Sequence, residues 1–252
     1  MKLATLFSAG AVLQRGKTIP VWGESAPDCV IIGELGGNIT FGATSSRGRF
    51  RLYFPPMEAG GPYTIKVTNR DTGEELEVGD IYIGEVWLAS GQSNMEFPVA
   101  RDPNVKWKTG ILNETEEMKD ADYPSIRLFH VEHQLAPEGE KEDCIGRWLV
   151  CTPENVKEFS AVGFIFGRKL YKELQMPVGL IQSTWGGTHA ESWTERRVMK
   201  DNPLYADVME EFAPQNVKRE KDKCKVPAAL WNGMIAPIKG YTIKGNIWYK
   251  GE

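Results

Sequence analysis

Ile81-Tyr82-Ile83-Gly84-Glu85-Val86-Trp87-Leu88-Ala89 is a nearly continuous apolar run, and it leads straight into Ser90-Gly91-Gln92-Ser93-Asn94. A strand that is apolar on both faces and runs into a polar turn belongs inside a parallel sheet covered on both sides. Downstream, Ser160 is placed to cap a helix in which Val162, Phe166, Leu170 and Leu174 recur every four positions. Pro177 separates that helix from a second apolar strand, Val178 to Ile181, so strand, helix and strand make a βαβ unit. Residues 80–252 are therefore expected to form an α/β domain on a parallel sheet, with Thr242 to Tyr249 as a further strand.

Upstream of Asp80 the period changes to two. Phe50, Leu52 and Phe54 alternate with Arg49, Arg51 and Tyr53, and Tyr63, Ile65 and Val67 alternate with Thr64, Lys66 and Thr68. Gly36-Gly37 between Val30–Leu35 and Asn38–Phe41, and Asp71-Thr72-Gly73 after Thr68, supply the residues that hairpin turns require. Short, regularly spaced strands of this kind predict a small β-sandwich over residues 1–79.

The 252 residues are 41% hydrophobic and 25% charged, a composition that excludes a disordered or collagen-like chain. A net charge of -4 with no basic face makes nucleic acid an unexpected partner. No apolar run reaches the length of a membrane-spanning helix. Leu3 to Phe7 is too short for the apolar core of a signal peptide and is interrupted at Ser8 and Gly10, so the first residues read as a mature N-terminus. Cys29, Cys144, Cys151 and Cys224 have no metal-ligand spacing and read as packing residues, although Cys144 and Cys151 are close enough in sequence to bridge in an oxidising compartment. The basic stretch Pro214 to Lys225, with acids interspersed, reads as a solvated helix or loop.

Ligands of open parallel sheets bind beyond the carboxyl ends of the strands. Three polar clusters fall there: Ser90 to Glu96, Gln182 to Thr188, and Tyr249-Lys250-Gly251-Glu252. A serine beside glycine, just past a strand, is presented at the start of the next helix, where backbone N–H groups face developing negative charge. The glycines of the second cluster let another N–H approach the same point. The combination describes Ser93 as a nucleophile with an oxyanion hole.

Gly84 to Glu96 closely resembles the nucleophile block of the sialate O-acetylesterase family, within the SGNH hydrolase superfamily. The resemblance continues in order through Leu6-Phe7-Ser8, Val12 to Gly16, Ile19 to Gly23, Phe159 to Leu174, Gly179-Leu180-Ile181, Trp185 to Thr188 with Ala190-Glu191, Trp231 to Pro237, and Gly245 to Tyr249. It implies a three-layer, flavodoxin-like SGNH domain after the β-domain, and hydrolysis of acetyl esters on sialic acid or a similar sugar. By the family's pattern Ser93 is the nucleophile, Ser93, Gly186 and Gly187 supply oxyanion donors, and no metal or organic cofactor takes part. Lys250 stands where the family usually carries the glutamine of Gln-Gly-Glu, whose amide belongs to the oxyanion hole, so Lys250 is expected as a further, longer and charged, oxyanion donor. The family's histidine lies in an Asp-x-x-His block near the C-terminus, and no such tetrad occurs in these 252 residues. The chain is accordingly expected to be an impaired esterase that lacks the C-terminal end of its sheet. The alternative is a dead fragment or a glycan-binding remnant. An uncovered sheet surface also predicts self-association, and the resemblance implies a periplasmic or secreted protein.

His130 ends an apolar strand and His133 lies in the loop after it, and both read as structural or solvated. His189, next to the glycine pair, is the histidine expected nearest Ser93. Trp185, His189, Glu191 and Asn232 are candidate sugar contacts, Trp193 another, although tryptophans also fill cores.

Overall fold

In a computed structural model that describes residues 1–251, twelve strands form: Lys2–Leu3 (β1), Val12–Gln14 (β2), Ile19–Glu24 (β3), Val30–Leu35 (β4), Asn38–Ala43 (β5), Arg49–Phe54 (β6), Gly60–Asn69 (β7), Glu75–Gly91 (β8), Tyr123–His130 (β9), Trp148–Cys151 (β10), Val178–Thr184 (β11) and Gly245–Tyr249 (β12). The helices are Ser93–Glu96 (α1), Glu114–Lys119 (α2), Ala161–Leu174 (α3), Arg196–Met199 (α4) and Ala206–Glu211 (α5). The result is a mixed α/β fold with one large sheet and few helices.

β8 organises the large sheet. Its first half pairs antiparallel with β7 and briefly, in parallel, with β2; its second half pairs in parallel with β11 on one side and β12 on the other. The sheet runs β10-β9-β11-β8-β7-β4-β5, while β1, β3 and β6 make a separate antiparallel sheet. That smaller sheet lies over β4 and β5, with Leu52 reaching into the space left by Gly33 and Gly42. The boundary drawn at residue 79 falls inside β8, which crosses it as one strand.

Local chemistry sets the turns. Gly36 and Gly37, at φ +54° and +82°, form the two-residue turn between paired Leu35 and Asn38. Ser160 caps α3 by accepting a hydrogen bond from the Gly163 N–H at 3.0 Å, and Gln175 ends the helix in the left-handed region at φ +51°.

The buried stripe of α3 differs from the one its apolar spacing marks. Val162 and Ile165 are exposed, and Ala161, Gly163, Phe164 and Gly167 face inward. A Cβ on Gly167 would lie 2.4 Å from Leu180 Cδ1, so the helix comes down on β11 through a glycine rather than a large side chain. Phe164, fully buried, contributes about 2 to 3 kcal/mol of transfer free energy at this contact. Phe166 remains an anchor, its ring 4.9 Å from that of Trp87.

Two apolar clusters fill the interior. One runs from Leu6 and Phe7 through Ile83 and Phe129 to Leu230 and Tyr241, joining both ends of the chain; Tyr241 donates its hydroxyl to the Val12 carbonyl at 2.7 Å. The other lies under α3 and includes Ile126, Leu128, Phe164 and Leu180. Cys144 belongs to the first cluster and Cys151 to the second, and all four cysteines are free, so the bridge allowed by their spacing is not made. Burial pushes both of these thiols up to about 12.

The last strand is shorter than its sequence pattern, Gly245 to Tyr249 rather than from Thr242, with Trp248 and Tyr249 exposed. The basic stretch forms a short turn in which Asp222 is held between Arg219 and Lys225. Among the described residues no helix is long and apolar enough to cross a membrane.

Candidate functional site

The carboxyl ends of β8, β11 and β12 meet at one place. Gly91, the last residue of β8, has φ +144° and sits so close to β12 that a Cβ would lie 2.2 Å from the Tyr249 carbonyl oxygen. Only glycine fits there, on both counts. The chain turns through Gln92, whose N–H donates to that same carbonyl at 3.2 Å, and α1 begins at Ser93, which is exposed. Ser90 joins the two central strands by donating to the Ser183 carbonyl at 2.6 Å.

The glycine pair follows β11. Trp185 donates its backbone N–H to the Gly91 carbonyl at 3.2 Å, which delivers Gly186 to the Ser93 segment. A Cβ on Gly186 would be 3.2 Å from Ser93 Oγ and 2.9 Å from Glu96 Oε2. The structure thus brings Ser93 and Gly186 together. Gly187, at φ +71°, is exposed and faces open space.

Behind the glycines the loop is braced. Thr188 donates to the Trp185 carbonyl at 2.7 Å and accepts from the buried Trp193 indole at 2.9 Å, while Lys250 donates to the Thr188 carbonyl. Lys250 therefore stands at the third strand end and grips the glycine loop by its backbone.

Glu96 entered the sequence reading only as the end of the first polar cluster, and His133 only as a structural or solvated residue; the structure joins both to this site. Glu96 ends α1, and its Oε2 accepts the Gly186 N–H at 2.5 Å. Its Oε1 lies 3.1 Å from Nε2 of His133, whose ring stacks on Trp185 with centroids 3.9 Å apart and planes at 7°. The usable signal for Glu96 was its place three residues after Ser93 in a helical turn. For His133 there was none.

The other candidates are dispersed. His189 turns its ring edge-on to Phe212 at 4.8 Å. Asn232 is buried and donates its side-chain amide to the Ala136 carbonyl at 2.8 Å, a tie on the loop before β10. Glu191 is half-buried, and its backbone carbonyl accepts from Ala228. His130 has a buried Nε2 without a hydrogen-bond partner among the described residues, and burial lowers its pKa, with the neighbouring His133 adding to the effect. No group of three or more His, Cys, Asp or Glu is placed to hold a metal ion among the described residues. Glu252, in the third polar cluster, lies outside them.

A mixed α/β protein in which a serine and a glycine loop converge at the carboxyl ends of adjacent parallel strands is the class that this geometry defines. The family model for carbohydrate esterase, sialic acid-specific acetylesterase, matches residues 83–252, and the chain belongs to that family. It is similar to the sialate O-acetylesterases of Homo sapiens (36% identical, covering 78% of this chain and 37% of that protein) and Rattus norvegicus (35%, 78% and 40%). A crystal structure of a carbohydrate acetylesterase from Xanthomonas citri superposes with a TM-score of 0.83 at 32% identity, covering all of this chain and 51% of that one. The chain thus spans about half, or less, of the length of these relatives.

Proposed function

We propose that the chain carries the nucleophile and oxyanion side of a serine esterase that removes acetyl groups from sugars, sialic acid or a similar glycan being the substrate class. The observation that carries the reading is Gly186 packed against Ser93 Oγ at the carboxyl ends of adjacent parallel strands. The Ser93 hydroxyl adds to the acetyl carbonyl, and backbone N–H groups of Ser93 and of the Gly186-Gly187 loop hold the oxyanion. The sugar hydroxyl leaves, and water then releases acetate from the acyl-serine. Lys250 stands in the place of the family's glutamine as a further oxyanion donor, and its bond to the Thr188 carbonyl fixes that end of the loop. The proton acceptor is the histidine of an Asp-x-x-His block, a tetrad these 252 residues do not contain. None of His130, His133 or His189 takes its place, so hydrolysis by this chain alone is slow.

The same reading assigns residues 1–79 to a β-sandwich domain and residues 80–252 to a three-layer SGNH-type domain in a periplasmic or secreted protein. Trp185, His189, Glu191 and Asn232 remain proposed sugar contacts, of which Trp185 is the one held beside the glycine pair.

The test compares hydrolysis of p-nitrophenyl acetate and of an O-acetylated sialic acid by this chain, by a version extended through the Asp-x-x-His block, and by Ser93→Ala in each. Activity that appears on extension and vanishes in Ser93→Ala supports the reading. Activity of the extended form that survives Ser93→Ala, or full activity of the short chain lost on His189→Ala, overturns it. Sugar binding without turnover in either form would favour a glycan-binding protein.

A further inference from the structure

A carboxylate beside a forming oxyanion opposes the reaction unless its own charge is met. Glu96 is such a carboxylate, only 11% exposed, one helical turn beyond Ser93. Both of its oxygens face nitrogen. Oε2 takes the Gly186 N–H at 2.5 Å and Oε1 lies 3.1 Å from His133 Nε2. That same ring nitrogen is 2.9 Å from the Thr184 carbonyl oxygen. A carbonyl can only accept, so Nε2 carries a proton and donates it to Thr184, with the Glu96 carboxylate beside the same N–H. The ring's flat contact with Trp185 fixes its plane.

One side chain therefore ties three segments that converge on the site: α1 with the nucleophile, the glycine loop after β11, and the loop after β9. The Gly186 amide is committed to Glu96, whereas the Gly187 amide has no hydrogen-bond partner among the described residues. We infer that Glu96 is the positioning residue of the site, holding the glycine loop against α1 through the Gly186 amide so that Gly187, not Gly186, is the loop's oxyanion donor. The inference rests on the esterase reading above and sharpens it. A Gly186 amide turned toward Glu96 cannot also point at the substrate, and a loop held by its first glycine presents the next one at a defined place.

The role separates from simple stabilisation by what glutamine can replace. Glu96→Gln keeps an oxygen for the Gly186 N–H but loses the charge and the pairing with His133; Glu96→Ala loses both. The amide proton of Gly186, bonded to a carboxylate, is expected far downfield in a 1H–15N spectrum of the isolated chain. It is expected to move upfield in Glu96→Ala and to be largely retained in Glu96→Gln, with circular dichroism confirming that both variants fold. In the version extended through the Asp-x-x-His block, Glu96→Ala is expected to lower kcat about a hundredfold with KM little changed, the scale of a misplaced reacting group, and Glu96→Gln to recover to within about tenfold of wild type. An unmoved Gly186 resonance in Glu96→Ala overturns the inference, as does wild-type kcat in that variant while Ser93→Ala is dead. If Ser93→Ala keeps wild-type turnover, the esterase reading falls and the role of Glu96 with it, even where the Gly186 resonance behaves as expected.

Discussion

Gly91→Ala is the sharpest test of how the site is assembled. At φ +144° alanine is strained by roughly 1 to 3 kcal/mol. Its Cβ would also lie 2.2, 2.8 and 3.1 Å from the carbonyl oxygen, carbonyl carbon and nitrogen of Tyr249, all backbone atoms that no rotamer change can move. β12 must therefore retreat from β8. That loosens the Gln92 N–H bond to the Tyr249 carbonyl and the Trp185 N–H bond to the Gly91 carbonyl, each 3.2 Å long and each worth about 1 kcal/mol net. The sum is about 3 to 5 kcal/mol, and with roughly 2 to 4 °C per kcal/mol for a domain of this size the melting temperature should drop by about 10 °C. Gly37→Ala is the control. It also has positive φ, +82°, but nothing lies within 4 Å of its Cβ position, so only the strain of about 1 to 2 kcal/mol should be lost. Thermal melts followed by circular dichroism, with urea titrations for the free energies, measure both. A Gly91→Ala protein that melts within about 2 °C of wild type, or no lower than Gly37→Ala, would refute the argument that β12 closes on the turn into Ser93.

His130 predicts a pH dependence. Its folded pKa is lowered by burial, so the native state binds fewer protons than the unfolded chain, whose histidine titrates near about 6.5. Its contribution is present above that pH and is lost as the pH falls through the lower, folded value. Urea midpoints measured from pH 8 to pH 5 should fall on the acid side, and less steeply in His130→Gln; parallel curves would remove His130 as the cause. The exposed Trp248 and Tyr249 on β12 should promote self-association, seen as a sedimentation coefficient that rises with protein concentration and that Trp248→Lys flattens.

What the sequence determined by itself is the chemistry that acts within a few residues. The Gly36-Gly37 turn, the Ser160 cap, the apolar run of β8 and the break at Pro177 were legible because each depends on φ preference, a near hydrogen bond or a short period. The meeting of Ser93 with the glycine loop was legible at one remove, since both follow strands expected in one parallel sheet. Which face of α3 is buried was not. Periodicity marks apolar positions but not the direction of the sheet, and here β11 meets α3 at Gly167 because close approach favours small residues, while Val162 and Ile165 point outward. Nor could any local rule pair Glu96 with Gly186, 90 positions away, or lay His133 on Trp185. Those contacts exist because β8, β9 and β11 end side by side, and strand order is settled by the packing of the whole chain.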